Sequence, residues 1–201
     1  MDAELIEKVR ARVQASVTEK RYAHSMRTAK MAAEMCVRYG LDEEKGRFAG
    51  MAHDMCKDLR DEELLSLAKK DGNEITPLEL AKPALLHGRA CAVVLQEDFG
   101  LADRDILQAI ACHTFGGPGI CPLAKILFAA DKIEPGRPQS TDAYREVLLA
   151  KSLDGMTLSV VEENIDYLAQ RGKTAAPASL AFRDSLLASL SAASPAEGRQ
   201  S

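Results

Sequence analysis

The fold class is decided by residues 22–40, which read YAHSMRTAKMAAEMCVRYG. Apolar residues recur there at intervals of three and four, from Ala23 and Met26 to Cys36, as expected of a helix with one apolar face. Gly40 stands where a left-handed residue commonly ends a helix. Elsewhere Ala and Leu dominate, and the strict alternation typical of strands does not persist. The sequence therefore predicts an all-α protein.

Further helix starts can be recognised along the rest of the chain. At each of these starts the predicted helix begins with an acidic residue or a proline, residue types that favour the first turn of a helix. They fall at Asp42, Asp61, Pro83, Asp103 and Pro122. Three of these helices are expected to lead to His53, His113 and Asp131. Two or three more helices are expected between residues 141 and 190.

Length and charge limit the class of protein. The chain has 201 residues, of which 46% are apolar and 4% aromatic, and a formal net charge of −4. We predict one domain over residues 1–193, with its core at about 20–137 flanked by an N-terminal helix and C-terminal helices, and a disordered tail at 194–201. The charge lacks the basic excess of nucleic-acid binders, and no apolar run approaches the ~20 residues of a membrane span. We therefore expect a cytoplasmic protein that binds neither nucleic acid nor membrane.

The side chains suited to chemistry are concentrated on separate helices. The four histidines each lie on a helix, or near its end, among apolar or small neighbours: His24, His53, His87 and His113. Asp54 follows His53 directly, and Asp131 ends an apolar helix where a lone carboxylate would be costly to bury. Imidazole and carboxylate together suit iron, manganese, cobalt, nickel or zinc. Antiparallel helices can each point one such ligand at a common axis.

The order of these residues resembles a known family. Residue types alone leave two interpretations open, a shared metal site or histidines satisfied within the core. The order His24, His53-Asp54, Asp131 resembles the HD-domain metal-dependent phosphohydrolases, and the YqeK-type branch is similar over nearly the whole chain. The similarity is carried by residues 21–25, 53–58, 85–88, 113–114, 118–119 and 130–137. The last of these runs and the two extra histidines make it specific.

This resemblance implies a fold, a cofactor and a reaction. The fold is an HD-domain helical bundle with a metal site in its core, and the cofactor is two divalent ions, iron foremost, with manganese, cobalt or nickel as alternatives. The implied ligands are His24, His53, Asp54, His87, His113 and Asp131. Asp54 would bridge the first ion to a second, held also by His87 and His113. The reaction is symmetrical hydrolysis of diadenosine tetraphosphate to two ADP, in which a hydroxide shared by the metals attacks an inner phosphate.

Two cations near these ligands are candidate phosphate contacts. Lys57 is expected one helical turn after His53, on the same side of the helix. Arg137 follows a Pro-Gly turn and can grip phosphate with its planar fork. Asp58 is a candidate catalytic residue that would orient Lys57 or a water. The ordinary alternatives are solvated surface cations and, for Asp58, the start of a loop.

Further candidate substrate contacts follow His113 and Asp131. Thr114 and Gly116 belong to a loop whose amides can approach a nucleotide, although a plain turn is equally compatible. Lys132 completes the candidate substrate contacts. Phe115, where the family commonly has a second Thr, is a candidate to stack on a base. Glu134 has a weaker case, and no residue is assigned to an adenine pocket.

Three classes of function remain open. The first is a symmetrical dinucleoside tetraphosphatase. The second is another HD phosphohydrolase, acting on nucleoside monophosphates, a cyclic dinucleotide or an alarmone. The third is a non-catalytic nucleotide or metal sensor, against which the presence of all six ligands weighs. An apolar stripe on the last helices is compatible with a homodimer.

Overall fold

A computed structural model describes residues 1–193, which contain helices, turns and loops but no strand. The α-helices are, in order, Ala3–Ser16 (α1), Glu19–Arg38 (α2), Glu43–Ala52 (α3), Asp61–Ala68 (α4), Pro77–Ala81 (α5), His87–Glu97 (α6), Arg104–Cys112 (α7), Pro122–Ile133 (α8), Asp142–Leu149 (α9), Leu153–Gln170 (α10) and Pro177–Ala193 (α11). Short 3-10 turns at Lys69–Asp71 and Pro83–Leu86 precede α5 and α6. The predicted all-α class is confirmed, whereas the predicted tail at 194–201 lies outside the described residues. Over the described range, no helix is both long and apolar enough to cross a bilayer.

Several helices begin at a residue whose side chain accepts hydrogen bonds from the amides of the first turn. The Asp42 carboxylate accepts hydrogen bonds from the first-turn amides of α3, and Asp103 does the same for α7. The hydroxyls of Thr18 and Ser152 cap α2 and α10. Such bonds satisfy amides that have no partner inside the helix. Gly40 follows α2 with a φ of 71°, which confirms the predicted left-handed end of that helix.

One short helix was not predicted, and one local prediction is wrong. The short helix α5 was not expected, since five residues carry too little periodicity, yet Thr76 and Glu79 cap it reciprocally. The wrong prediction concerns the position of Lys57. Helix α3 ends at Ala52, and residues 53–58 form successive turns in which the Lys57 amide donates to the Asp54 carbonyl at 2.9 Å. Lys57 is therefore not one helical turn beyond the histidine at 53.

The buried core lies where α2, α3, α6, α7 and α8 pack together, with α10 laid against α8 and α11 against α10. Two glycines allow unusually close helix contacts. A Cβ on Gly50 would lie 2.6 Å from the Cα of Ala29 in α2. A Cβ on Gly88 would lie 2.7 Å from the Ile110 carbonyl oxygen and 3.0 Å from the His113 ring. These contacts draw the histidine-bearing parts of four helices toward one point.

Candidate metal centre

The six predicted ligands meet at one place between the helices. They come from α2 (His24), the turn after α3 (His53 and Asp54), the start of α6 (His87), the end of α7 (His113) and the last turn of α8 (Asp131). Four of the six are buried, while His24 and Asp131 are partly buried. We call this group the His/Asp cluster. Its members are separated by up to 107 residues in sequence, so only the packing of the bundle assembles it.

The Asp54 carboxylate lies in the middle of the His/Asp cluster. Its Oδ1 is 3.0 Å from His87 Nε2 and 3.8 Å from His113 Nε2. Its Oδ2 is 3.7 Å from His53 Nε2 and 4.0 Å from His24 Nε2. The two oxygens therefore face two different pairs of imidazoles, which is the arrangement expected of a bridging carboxylate.

Asp131 completes the His24 side of the cluster. Its Oδ1 is 3.0 Å from His24 Nε2 and 3.7 Å from His53 Nε2, and ligand atoms of these three residues all lie within 4.8 Å of one another. On the other side, His87 Nε2 and His113 Nε2 are 2.9 Å apart. Ligand atoms thus lie on both sides of the central carboxylate, and those of His53, Asp54 and His113 also lie within 4.8 Å of one another, so the two sides adjoin.

Three imidazoles are held by their own backbone. In each, Nδ1 donates to the carbonyl three residues earlier: His53 to Gly50 at 2.7 Å, His87 to Ala84 at 2.8 Å, and His113 to Ile110 at 2.7 Å. Because a carbonyl can only accept, Nδ1 must carry the proton in these bonds. In the neutral form of such a ring the lone pair is then on Nε2, the atom that faces the cluster.

His24 is oriented by a carboxylate instead. Glu134 Oε1 lies 3.0 Å from His24 Nδ1, and its Oε2 accepts hydrogen bonds from Arg27 and from the Gly136 amide, both at 2.6 Å. Burial would raise the Glu134 pKa, but the bonds from Arg27 and His24 hold it below its usual value. Glu134 is therefore an ionised partner that points His24 Nε2 at Asp131. Its weak sequence signal understated this contact, because a glutamate just after a helix end is usually solvated.

The cluster provides a donor set that suits a divalent metal. His53 Nε2 is buried and has no hydrogen-bond partner in the described part of the chain, which is unusual for a buried polar atom. Burial lowers the pKa of His53 and of His113, so both rings are neutral at neutral pH, the form that binds metals. A cation between these atoms would give the unpartnered nitrogen a partner.

The two cluster carboxylates are ionised. Burial alone would raise the pKa of Asp54, but the imidazole of His53 and the contact with His87 outweigh it and hold that pKa below its usual value. The pKa of Asp131 is likewise held well below its usual value, with Lys132 the largest of the effects that oppose burial. Ionised carboxylates beside neutral imidazoles are ligands that first-row divalent metals accept.

Comparison with known protein families assigns the fold around this cluster. The profile of the HD domain family matches residues 21–136. The chain belongs to the HD-domain family. That range runs from the start of α2 to the turn after α8, so it contains every member of the His/Asp cluster.

Curated relatives of this HD-domain chain include proteins named symmetrical bis(5′-nucleosyl)-tetraphosphatase. The one from Staphylococcus aureus is 32% identical over 84% of this chain and 88% of its own length. The one from Halalkalibacterium halodurans is 32% identical over 87% of this chain and 93% of its own. The one from Bacillus subtilis is 36% identical over 65% of this chain and 70% of its own.

A solved structure shares the HD fold. It comes from Clostridium acetobutylicum and is described as a predicted HD superfamily hydrolase involved in NAD metabolism. The two structures superpose with a TM-score of 0.84 at 29% sequence identity, covering 91% of this chain and 97% of the other. The similarity therefore extends beyond residues 21–136, which the HD-domain profile matches.

Two cations flank the HD-domain cluster. Lys57 Nζ lies 3.0 Å from His87 Nε2 and 3.9 Å from Asp54 Oδ1, and burial lowers the pKa of this lysine. Arg137 donates from Nη2 to Asp131 Oδ1 at 2.6 Å and from Nε to the Asp131 carbonyl at 2.8 Å. A guanidinium has five N–H donors, more than these two bonds use. Both cations thus lie beside the candidate metal ligands of the HD domain.

Lys132 is bound into the HD domain itself. Its Nζ donates to the His113 carbonyl at 3.1 Å, lies 3.5 Å from Asp131 Oδ2, and sits 3.7 Å above the centre of the Phe128 ring. These contacts make Lys132 a residue that holds α8 against the end of α7 and offsets the charge of Asp131.

The remaining candidates of the HD domain occupy different surroundings. Asp58 pairs with Arg21 at 2.8 Å, rather than with Lys57. Gly116 has a φ of 70° and lies against the Phe182 ring, where a Cβ would come within 2.1 Å of a ring carbon. A packing role therefore accounts for this glycine. Thr114 Oγ1 is buried without a hydrogen-bond partner among residues 1–193, so it can still accept or donate a bond to a ligand.

Proposed function

We propose that this chain is a metal-dependent hydrolase that cleaves diadenosine tetraphosphate symmetrically to two ADP. The observation that carries the proposal is the position of Asp54, whose two oxygens face imidazoles on opposite sides. The HD-domain relatives that match most of this chain are named for the same activity. The pairing favours a hydrolase over a sensor, because a degenerate site usually lacks a ligand.

We infer that the site holds two divalent ions, iron foremost, with manganese, cobalt or nickel as alternatives. One ion would be held by His24, His53, Asp54 and Asp131, and the other by His87 and His113 together with the bridging Asp54. Bound there, the ions would supply Lewis-acid polarisation of a phosphate and a nucleophile at neutral pH. Binding and orientation of the substrate would depend on the protein's own side chains.

Those residues position the polyphosphate. Lys57, whose ammonium lies beside the ligand group of His87, is placed to donate to a phosphate oxygen close to the cluster. Arg137 holds Asp131 in place with two hydrogen bonds and has donors left for a second phosphate. Thr114 is a further donor. Positioning of this kind supplies much of the catalysis in phosphoryl transfer. Asp58 has no part in the proposal, because Arg21 accounts for its carboxylate.

The first test is a product analysis. Protein purified without oxygen and loaded with ferrous iron, manganese or cobalt is given diadenosine tetraphosphate, and the products are resolved by ion exchange. ADP is expected as the sole product, because both halves of the substrate then leave with two phosphates. AMP with ATP would contradict symmetrical cleavage. Phosphate release from nucleoside monophosphates, without cleavage of the tetraphosphate, would favour the second class of function.

Lys57→Ala is expected to keep its metal and lose about 10- to 100-fold in kcat/KM. The reason is that a hydrogen bond to a charged group is worth about 1.5–3 kcal/mol. Lys70→Ala is a suitable control, since Lys70 pairs with Glu97 on the exposed surface. Metal content is measured by mass spectrometry of the desalted protein. Loss of metal from the Lys57 variant would show that this lysine supports the ligands rather than the phosphate.

Other expectations from the sequence stay predictions. They are the cytoplasmic location, the homodimer, the absence of nucleic-acid binding and the division of the chain into one domain and a tail. Size measurement in solution and localisation of the tagged protein would test the first two.

A further inference from the structure

A large cavity adjoins the His/Asp cluster on its α10 side. Its volume is about 820 Å³, within the range of small-molecule binding sites. One wall consists of residues 131–133 and 137–139 together with Tyr144, and the other consists of several residues on α10 and its end, between Val160 and Arg171. We call this cavity the α10 groove. Asp131 belongs both to its wall and to the cluster, and Arg137 of the wall donates to Asp131 Oδ1 at 2.6 Å, so the groove adjoins the candidate metal centre.

We propose that the α10 groove binds one nucleoside of the substrate, with the base stacked on Tyr167 and the phosphates directed past Arg137 to the His/Asp cluster. The phosphate end of this assignment rests on the proposed function, whereas the base end rests on the groove alone. Nothing in the sequence marked these residues as a base pocket. The candidate considered there, Phe115, is not part of the groove wall; its carbonyl accepts a hydrogen bond from Ser179 at the start of α11.

The groove wall on α10 follows from the helix register. Val160, Glu163, Asn164, Tyr167 and Arg171 are spaced by three and four, so they share one face. Val160 is buried in the core, which fixes that face toward α8 and the groove. The face extends about 16 Å at 1.5 Å per residue. It can therefore present several contacts along one elongated ligand.

Tyr167 is the residue on this wall that is suited to a base. Its side chain is 51% exposed, although the whole chain contains only four tyrosines, five phenylalanines and no tryptophan. The Arg171 guanidinium lies 4.4 Å from the ring centre and stiffens the tyrosine from one face. An exposed, braced ring beside a phosphate-binding centre provides the flat surface on which bases stack, worth about 1–3 kcal/mol per base.

Polar residues around Tyr167 can recognise the edge of a base. Asn164 and Gln170 each carry an amide donor next to an acceptor, the pair of groups that matches the N6 and N7 atoms of adenine. The nearby carboxylate of Glu163 already accepts the hydroxyl hydrogen of Tyr144. The wall thus combines a stacking surface with amide groups and has cations at both ends, Arg137 and Arg171.

The test compares ligands with and without a base. Binding of ADP and of pyrophosphate to the manganese-loaded full chain is measured by titration calorimetry. Tyr167→Ala is expected to weaken ADP binding about 10-fold or more, because stacking is lost. It should change pyrophosphate binding less than about twofold. Tyr167→Phe, which keeps the ring, should bind ADP like the unmodified chain.

Val147→Ala is a matched control, since Val147 is a 65% exposed apolar residue of α9 outside the groove. Melting curves check that each variant is folded.

The same variants separate this proposal from the proposed function. In diadenosine tetraphosphate cleavage, Tyr167→Ala should raise KM more than it lowers kcat. If the unmodified chain binds ADP through Tyr167 but does not cleave the tetraphosphate, the groove assignment stands and the proposed reaction fails. If the chain cleaves it symmetrically while Tyr167→Ala leaves both ADP affinity and KM unchanged, the groove assignment is overturned. Equal loss of ADP and pyrophosphate binding, or failure of the unmodified chain to bind ADP, would also overturn it.

Discussion

Replacing Asp54 by alanine is expected to remove bound metal and hydrolysis together. This carboxylate lies between the two ligand groups, with one oxygen toward His87 and the other toward His53. Its loss takes a ligand from both ions and half of the negative charge that the cluster carboxylates offer. Metal ions contribute several kcal/mol to transition-state stabilisation, so we expect activity to fall by about 1,000-fold or more.

The measurement pairs elemental analysis with the tetraphosphate assay. Asp61→Asn serves as the control, because Asp61 is an exposed carboxylate in the first turn of α4. Asp54→Asn adds a second variant that keeps the size of the side chain and one oxygen, which guards against simple misfolding. If both Asp54 variants retain two equivalents of metal, that result would contradict the assignment of Asp54 as the residue that bridges the two ions.

Replacing His87 and His113 together by glutamine is expected to lower the metal content from two equivalents to one and to abolish turnover. The Nε2 atoms of these two histidines lie 2.9 Å apart on the Oδ1 side of Asp54. His24, His53 and Asp131 lie on the other side and keep their geometry through Glu134 and the Gly50 carbonyl. In the proposed two-metal centre, turnover would need both ions, because a nucleophile and a neutralised phosphate are required in the same place.

Stoichiometry distinguishes the two sides of the centre. Glutamine keeps most of the volume of the imidazole, which limits cavity formation in the core. The matched variant removes His24 alone and should lower the affinity of the first ion instead. Two equivalents in the double variant would mean that the ions are bound elsewhere or that the centre is mononuclear in the unmodified chain.

Much of the fold could be predicted from local signals, because those signals act over short distances. Capping acids at 42 and 103 and the glycine at 40 each satisfy or end one helix by themselves. The turn that carries Lys57 could not be predicted in the same way. Its residues are compatible with continued helix, and the chain leaves the helix where the cluster is packed.

Only part of the candidate site could be predicted from the sequence. Family resemblance indicated which histidines and aspartates belong together and how they divide around Asp54, but not the hydrogen bonds that orient them, which depend on side-chain positions. Glu134 and Tyr167 show a second limit. In the sequence each resembles a solvated surface residue. The role of each depends on an element distant along the chain: His24 of α2 contacts Glu134, and residues between 131 and 139 form the groove wall opposite Tyr167.

The backbone bonds to the three imidazoles have a thermodynamic consequence. Each ring is oriented by a carbonyl three residues earlier, so its rotational entropy is lost when the helices form and not when an ion arrives. The ligand sphere is therefore preorganised, and its unfavourable charge is balanced by the neighbouring lysines and arginine. A chelator should empty such a centre and leave the bundle folded. In the proposed centre, different divalent metals would exchange while the ligands keep their positions, and the supply of each metal in the cell would decide which one is bound.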